Sequence, residues 1–210
     1  MNSAQKTLKI KILSELNTIL IKWGFVYDSV AGIFIKGGSC DDYIYILFNS
    51  WPTGIRIEMQ IGIRVESVEK IFHQVSGVPK KMQKYTPTIG NTTGALSGKA
   101  SKADNFIVNY TDDLSLVCNH VAKIYNDFGK VFFETWCDIN KLDKELNDNP
   151  LIPTPLIALI WSRAFRGIII AKLNDRKNYE ELKIAYLNSI SRAQGDLHYN
   201  KFVDLVKILN

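Results

Sequence analysis

The chain has 210 residues, 46% of them hydrophobic and 22% charged, which suits one large domain or two small ones and excludes a disordered polymer. A net charge of +5 permits an acidic protein or a nucleic acid as partner and demands neither. The three cysteines, Cys40, Cys118 and Cys137, are odd in number and form no CxxC pair, so no disulfide framework is implied and a reducing compartment is expected.

Residues 3–23 read as an amphipathic helix, with Leu8, Ile12, Leu16, Ile19, Leu20 and Trp23 at helical spacing and Gly24 as its C-terminal cap. Lys9 and Lys11 interrupt any secretory apolar core, and cytoplasmic residence is the expectation. Extended structure begins at Phe25–Tyr27. "GIFIK" and "DDYIYILFN", separated by Gly37-Gly38, suggest a hairpin. "NSWPTG" is a turn. In "GIRIEMQIGIRVE", Ile55, Ile57, Met59, Ile61, Ile63 and Val65 alternate with polar or small residues. That period of two belongs to a strand of an antiparallel sheet with one covered face. Arg56, Glu58, Gln60 and Arg64 stand on its polar side. "SVEKIFHQVSG" reads as a short helix from Ser67 to Gly77.

Residues 78–104, rich in Pro, Gly, Thr, Ser and Lys, read as a long loop. Within it "TGALSGKAS" has nearly the ingredients of a phosphate-binding loop. A P-loop needs G-x-x-x-x-G-K-[ST]; here Thr93 stands at the first glycine position and Ala100 follows Lys99. The preceding "KKMQKYTPTIGN" is no buried strand, so the motif is set aside. "NFIVNYT" reads as a final strand.

From Thr111 the pattern turns helical, with Leu116, Val117, Val121, Ile124 and Phe128 on one side. "KVFFETW" is ambiguous between helix and strand, and "DINKLDKELND" is a helix. Pro155 is placed in the first turn of a helix carrying Leu156, Leu159, Ile160, Ala164, Gly167, Ile168 and Ala171. Arg163 and Arg166 near its centre argue against a membrane span. Helices over 176–194 and 197–209 follow.

Little in the sequence points to catalysis. His73, His120 and His198 are far apart, and neither HExxH nor a nucleophile elbow occurs. Cys137 lies among acidic neighbours, which do not favour a thiolate. No catalytic residue, metal site or cofactor is expected. Were there an enzyme site, it would draw on His73, His120, Cys118, Glu58 and Asp112, between the sheet and the helical half and under the 78–104 loop. Two binding surfaces remain. One is the row Arg56, Glu58, Gln60 and Arg64, suited to a protein partner. The other is the basic loop with Lys80, Lys81, Lys84, Tyr85, Lys99 and Lys102, where cations beside an aromatic ring suit nucleic acid.

The succession "KWGFVYD", "GIFIK", "IRIEMQIGIRVESVEKIF" and a helical C-terminal half resembles a group of bacterial domains of unknown function. Some of these are carried beside polymorphic toxin systems as immunity proteins. The resemblance covers the first 75 or so residues best and implies a binding role for another protein; it carries over no catalytic residue. The expectation is an α+β fold: an N-terminal helix on an antiparallel sheet of four to five strands, then an α-helical half. The division is expected near residue 110, with 1–110 holding the sheet and the loop 78–104, and 111–210 the helical subdomain, the alternative being that both halves form one continuous domain.

Overall fold

The computed structural model describes residues 1–98, 105–193 and 195–210. It is an α+β fold in which an N-terminal helix and an antiparallel sheet precede a helical half. Six strands form the sheet: β1 (Val26–Asp28), β2 (Ile33–Lys36), β3 (Asp41–Trp51), β4 (Gly54–Arg64), β5 (Ile89–Thr92) and β6 (Asn105–Asn109). The first four are neighbours in chain order, and β5 and β6 both pair with β4. The β6 register runs from Gly54 opposite Asn109 to Glu58 opposite Asn105. β5 adjoins the later part of β4, where Gly90 faces the backbone of Ile61 and Gly62 with no room for a Cβ. Sequence reading misses β5 because "IGNT" offers a single large apolar residue and a glycine, which read as punctuation.

The chain separates into two compact units, residues 1–62 with 90–134 and residues 63–89 with 135–210. In this grouping residues 63–89 go with the C-terminal helices.

In the first unit, α1 (Ser3–Leu20) opens with a reciprocal cap. Gln5 N donates to Asn2 Oδ1, and Asn2 N donates to Gln5 Oε1. Its stripe Leu8, Ile12, Leu16 and Leu20 is buried. A 3₁₀ turn over Ile21–Trp23 ends at Gly24, whose φ of +87° is the left-handed conformation that glycine adopts without strain. The Gln5 side chain donates to the carbonyls of Trp51 and Gly54, tying the helix to the β3–β4 turn. Along β4 the alternation is realised: Ile55, Ile57, Met59 and Ile61 are at most 1% exposed, while Arg56, Glu58 and Gln60 are half-buried. α4 (Thr93–Leu96) is capped by the Thr92 hydroxyl. α5 (Ser115–Ile124) packs on α1 and runs through a π-helical turn at Tyr125–Gly129 into α6 (Lys130–Trp136), so "KVFFETW" is helical. At that turn the Tyr125 ring stacks on Trp23, with centroids 4.2 Å apart.

The second unit is built around α8 (Ile160–Leu173). Residues 163–171 are buried on every side, as in a helix at the centre of a core. It packs against α2 (Glu66–Phe72), α7 (Ile139–Asn147), α9 (Tyr179–Ala193) and α10 (Gly195–Leu209). Gly167 is required there: a Cβ would collide with the Tyr186 hydroxyl, which lies 2.8 Å from Leu146 O and 2.7 Å from Asn147 Oδ1 and has one proton to donate between them. The helix starts at Ile160 and not at Pro155, because Pro150, Pro153 and Pro155 keep residues 149–159 irregular. Residues 78–98 are not a plain loop either. They hold α3 (Lys80–Gln83), β5 and α4. Among the described residues no helix is long and apolar enough to cross a membrane.

Candidate functional site

Two places in the second unit gather polar groups. The first is a buried ionic cluster around Glu69, which is fully enclosed. Arg166 Nε and Nη2 donate to the two Glu69 oxygens at 2.8 and 3.1 Å, and the guanidinium lies 4.2 Å from the Phe72 ring centroid. The Thr86 hydroxyl is 3.0 Å from Glu69 Oε2. Arg64, only 4% exposed, donates to Glu66 Oε2, Gln83 O, Thr86 O and Thr86 Oγ1. His73 closes the ring: Nε2 faces Gln83 O at 3.1 Å and Thr86 Oγ1 at 2.8 Å, and Nδ1 faces Ser76 Oγ at 3.0 Å.

These partners fit a neutral imidazole with its proton on Nε2, accepting at Nδ1 from the Ser76 hydroxyl. Burial lowers the His73 pKa, against the pull of Glu69, which raises it. With His73 neutral, two arginines balance Glu66 and Glu69. Every polar side chain in the cluster has a partner, which is the condition for a buried charge network to be tolerated. Its chemistry is that of a joint tying α2, the segment 83–86 and α8.

The second place is open. A cleft of about 460 Å³ is lined by Trp136, Lys141, Lys144, Glu145 and Asp148, by Asn149, Ile152, Pro153 and Thr154, and by Arg163. Its origin is local. α7 ends at Asn147, and the prolines that follow prevent helical continuation, so carbonyls of the turn need donors from elsewhere. Arg163, one turn into α8, supplies them: Nη2 donates to Leu146 O at 2.7 Å and Asn149 O at 2.9 Å, and Nη1 donates to Ile152 O. Its Nε is buried with no acceptor among the described residues. Glu145 Oε1 accepts from the Thr154 hydroxyl at 2.6 Å, and Asp148 Oδ1 accepts from Arg176 Nη2 at 2.6 Å. Lys141 and Lys144 are exposed and close no ion pair among the described residues. Of the lining residues Ile152 is an exposed aliphatic (62%), and Leu151 (65%), its neighbour in the chain, is exposed as well.

The residues expected from sequence are placed as follows. Arg56, Glu58 and Gln60 lie half-buried on the polar side of β4, with Arg56 opposite Ile107 of β6. Arg64 is not on a surface at all: β4 is buried on both faces from Ile61 to Arg64, and its guanidinium is spent on the ionic cluster. Lys80, Lys81 and Lys84 are exposed on or beside α3. Tyr85 is only 8% exposed, with Lys84 Nζ 4.5 Å from its ring centroid, so it offers no open face for a base. Lys99 and Lys102 lie outside the described residues.

Of the hypothetical catalytic set, His73 belongs to the second unit and Cys118, His120, Glu58 and Asp112 to the first. Asp112 Oδ2 accepts from Asn109 N and Nδ2, a turn-fixing role. Cys118 is half-buried, and burial raises its pKa, which disfavours a thiolate. Among the described residues no three His, Cys, Asp or Glu side chains are grouped to hold a metal ion. Cys118 is a free thiol, but Cys40 and Cys137 are disulfide-bonded, against the expectation of reduced cysteines.

Sequence reading missed Trp136, Lys141, Lys144 and Arg163 as cleft residues. The available signal was a proline-broken segment between two helices with an arginine early in the second. No family model, curated protein or solved structure matches this chain.

Proposed function

We propose that this chain is a non-enzymatic protein-binding module whose contact surface is the cleft beside α7, with the exposed Ile152 in its lining. The observation that carries this reading is the conjunction in one cleft of two lysines with no ion pair among the described residues, Trp136 and the exposed Ile152. Charged groups around an apolar centre give a protein interface its specificity and its affinity respectively. The joint around Glu69 has its donors and acceptors internally engaged, which supports a structural role there and leaves the cleft as the reactive surface. The immunity-type partner implied by the sequence resemblance, a toxin encoded beside this chain, is the finer form of the same proposal.

Binding of nucleic acid through Lys80, Lys81 and Lys84 is the competing reading, and the burial of Tyr85 removes the stacking part of it. Cytoplasmic residence goes with reduced cysteines. The disulfide-bonded state of Cys40 and Cys137 favours an oxidising compartment instead.

The test is photo-crosslinking in the native host. A photoreactive amino acid at Ile152 is expected to capture one protein that the same residue at exposed Lys207 does not. The purified partner should then bind the wild-type chain and lose affinity by about tenfold or more for Ile152→Asp, the scale of a buried apolar anchor replaced by a charge. Identical capture profiles from both positions would remove the cleft from the proposal.

A further inference from the structure

The ionic joint around Glu69 is also the mooring of the segment that follows α2. Between Val78 and Thr86 only Tyr85 is buried, and Lys80, Lys81, Met82 and Lys84 are exposed. A stretch with so little apolar burial is the kind that opens locally. Polar bonds hold it. Arg64 Nη1 donates to Gln83 O, Thr86 O and Thr86 Oγ1, and the Thr86 hydroxyl reaches Glu69. His73, whose side chain is only 5% exposed, attaches it at both ends: Nε2 faces Gln83 O and Thr86 Oγ1, and Nδ1 faces the Ser76 hydroxyl. Lys201 Nζ of α10 donates to Ser76 O at 2.9 Å.

The protons available set the state of the imidazole. The Thr86 hydroxyl has one proton to give, to Glu69 Oε2 or Gln83 O, and its oxygen accepts from Arg64. Its remaining lone pair takes the Nε2–H of His73. The Ser76 oxygen accepts from Val78 N, and its own proton is the one offered to Nδ1. A proton added at Nδ1 turns that acceptor into a donor and leaves the Ser76 hydroxyl without its acceptor. The added charge is unfavourable as well. Arg64, Arg166 and Lys201 already bring three cations to the joint, against the carboxylates of Glu66 and Glu69. Glu69 is held on both oxygens by Arg166, and Glu66 is largely exposed. Burial is the main cause that lowers the His73 pKa; Arg64 and Arg166 add to it, and Glu69 and the Gln83 carbonyl oppose it. We infer that His73 is a proton-operated latch: neutral, it holds residues 78–86 against α2; protonated, it releases them while the helices packed on α8 stay folded. The latch is independent of the partner proposed above.

The experiment is hydrogen exchange of the full chain by mass spectrometry from about pH 7.5 to about pH 4.5, with each rate corrected for the intrinsic pH dependence of exchange. Protection of residues 80–86 should be full above the ordinary imidazole pKa of 6.5 and fall below it, by up to about tenfold per pH unit, the slope that linkage of one proton allows. Residues 163–171 of α8 should keep their protection. In His73→Gln, which takes up no proton at this position, the fall over 80–86 should disappear. Ser76→Ala removes the hydroxyl that donates to Nδ1. An NMR titration of the His73 ring should then show a midpoint about 0.5–1 pH unit higher than in the wild type, the scale of one hydrogen bond. Unchanged protection of 80–86 across the range overturns the inference. So does an equal fall in His73→Gln, which would assign the proton to another group. Parallel loss over α8 overturns it too, because that is global unfolding and not release of one segment. If His73→Gln does not fold, the Ser76→Ala midpoint decides, and no rise in it removes the latch.

Discussion

Asp42, near the start of β3, is the clearest titrating residue. Burial is the main cause that lifts its carboxyl from 3.8 to about 6, with Asp41 adding to the rise and Lys36, whose Nζ is 3.9 Å away, opposing it. A carboxyl that holds its proton more tightly when folded makes ionisation a cost to the fold. Its contribution is intact below about pH 4, is lost as the pH rises to about 6, and stays lost above that. Asp42→Asn is therefore expected to stabilise the chain at pH 7.5 and to leave it unchanged near pH 3.5. The gain is about 1–2 kcal/mol, less than the full linkage value because solvent screens a side chain that is not wholly enclosed. Urea denaturation at the two pH values measures it, and an equal effect at both would show that proton linkage is not the cause. His73 acts in the opposite sense: its lowered pKa gives stability that is present above its ordinary pKa and is lost as the pH falls below it. Glu69→Gln keeps the shape of the ionic joint but leaves Arg166 buried without a counter-charge. It should cost about 3–5 kcal/mol in the same denaturation assay.

At the scale of elements, β4 gives the sharpest contrast. Ile57→Ala removes a fully buried side chain from the covered face and should destabilise by about 2–5 kcal/mol. Glu58→Ala, the next residue along, lies half-buried on the other face and makes no ion pair among the described residues. It should change stability by less than about 0.5 kcal/mol. Parallel chemical denaturation of the two variants reads the alternation directly, and comparable losses would contradict it. α8 shows what periodicity alone misses. Its stripe was legible, but burial of residues 163–171 on all sides follows from four neighbouring helices, and no single-segment pattern encodes them. Arg163 and Arg166 entered the sequence argument as charges too costly for a membrane. In the fold they are buried just the same, and carbonyls and a carboxylate offset their desolvation.

For the whole molecule, the division into units has a direct consequence. A fragment of residues 111–210, which sequence composition marks as a helical subdomain, lacks residues 63–89 and with them Glu69, the partner of Arg166. It also lacks α2, one of the helices packed on α8. That fragment is expected to show no cooperative thermal transition by circular dichroism, whereas the full chain shows one. A sharp transition in the fragment would mean that residues 63–89 are dispensable for the second unit.

The sequence by itself determined the local elements whose cause is local. The helix of residues 3–20 follows from its 3.6-residue stripe and from Gly24, and β4 from its strict alternation. The α+β class followed from these patterns being arranged in order along the chain. Tertiary structure alone decided the rest. β5 exists because an edge of β4 was open to it and Gly90 could approach, a relation between segments about thirty residues apart that no window on either one contains. Arg64 sits in register with the polar row of β4, yet it is buried because β4 runs on past Ile61 into the second unit, where Gln83 and Thr86 accept its protons. The cleft was hidden for the same reason. Its floor is an arginine whose donors are committed by carbonyls freed at three prolines, and its wall is a pair of lysines on another helix. Backbone propensity and side-chain period are properties of a segment. Burial, pairing and unspent charge are properties of what the fold places against it.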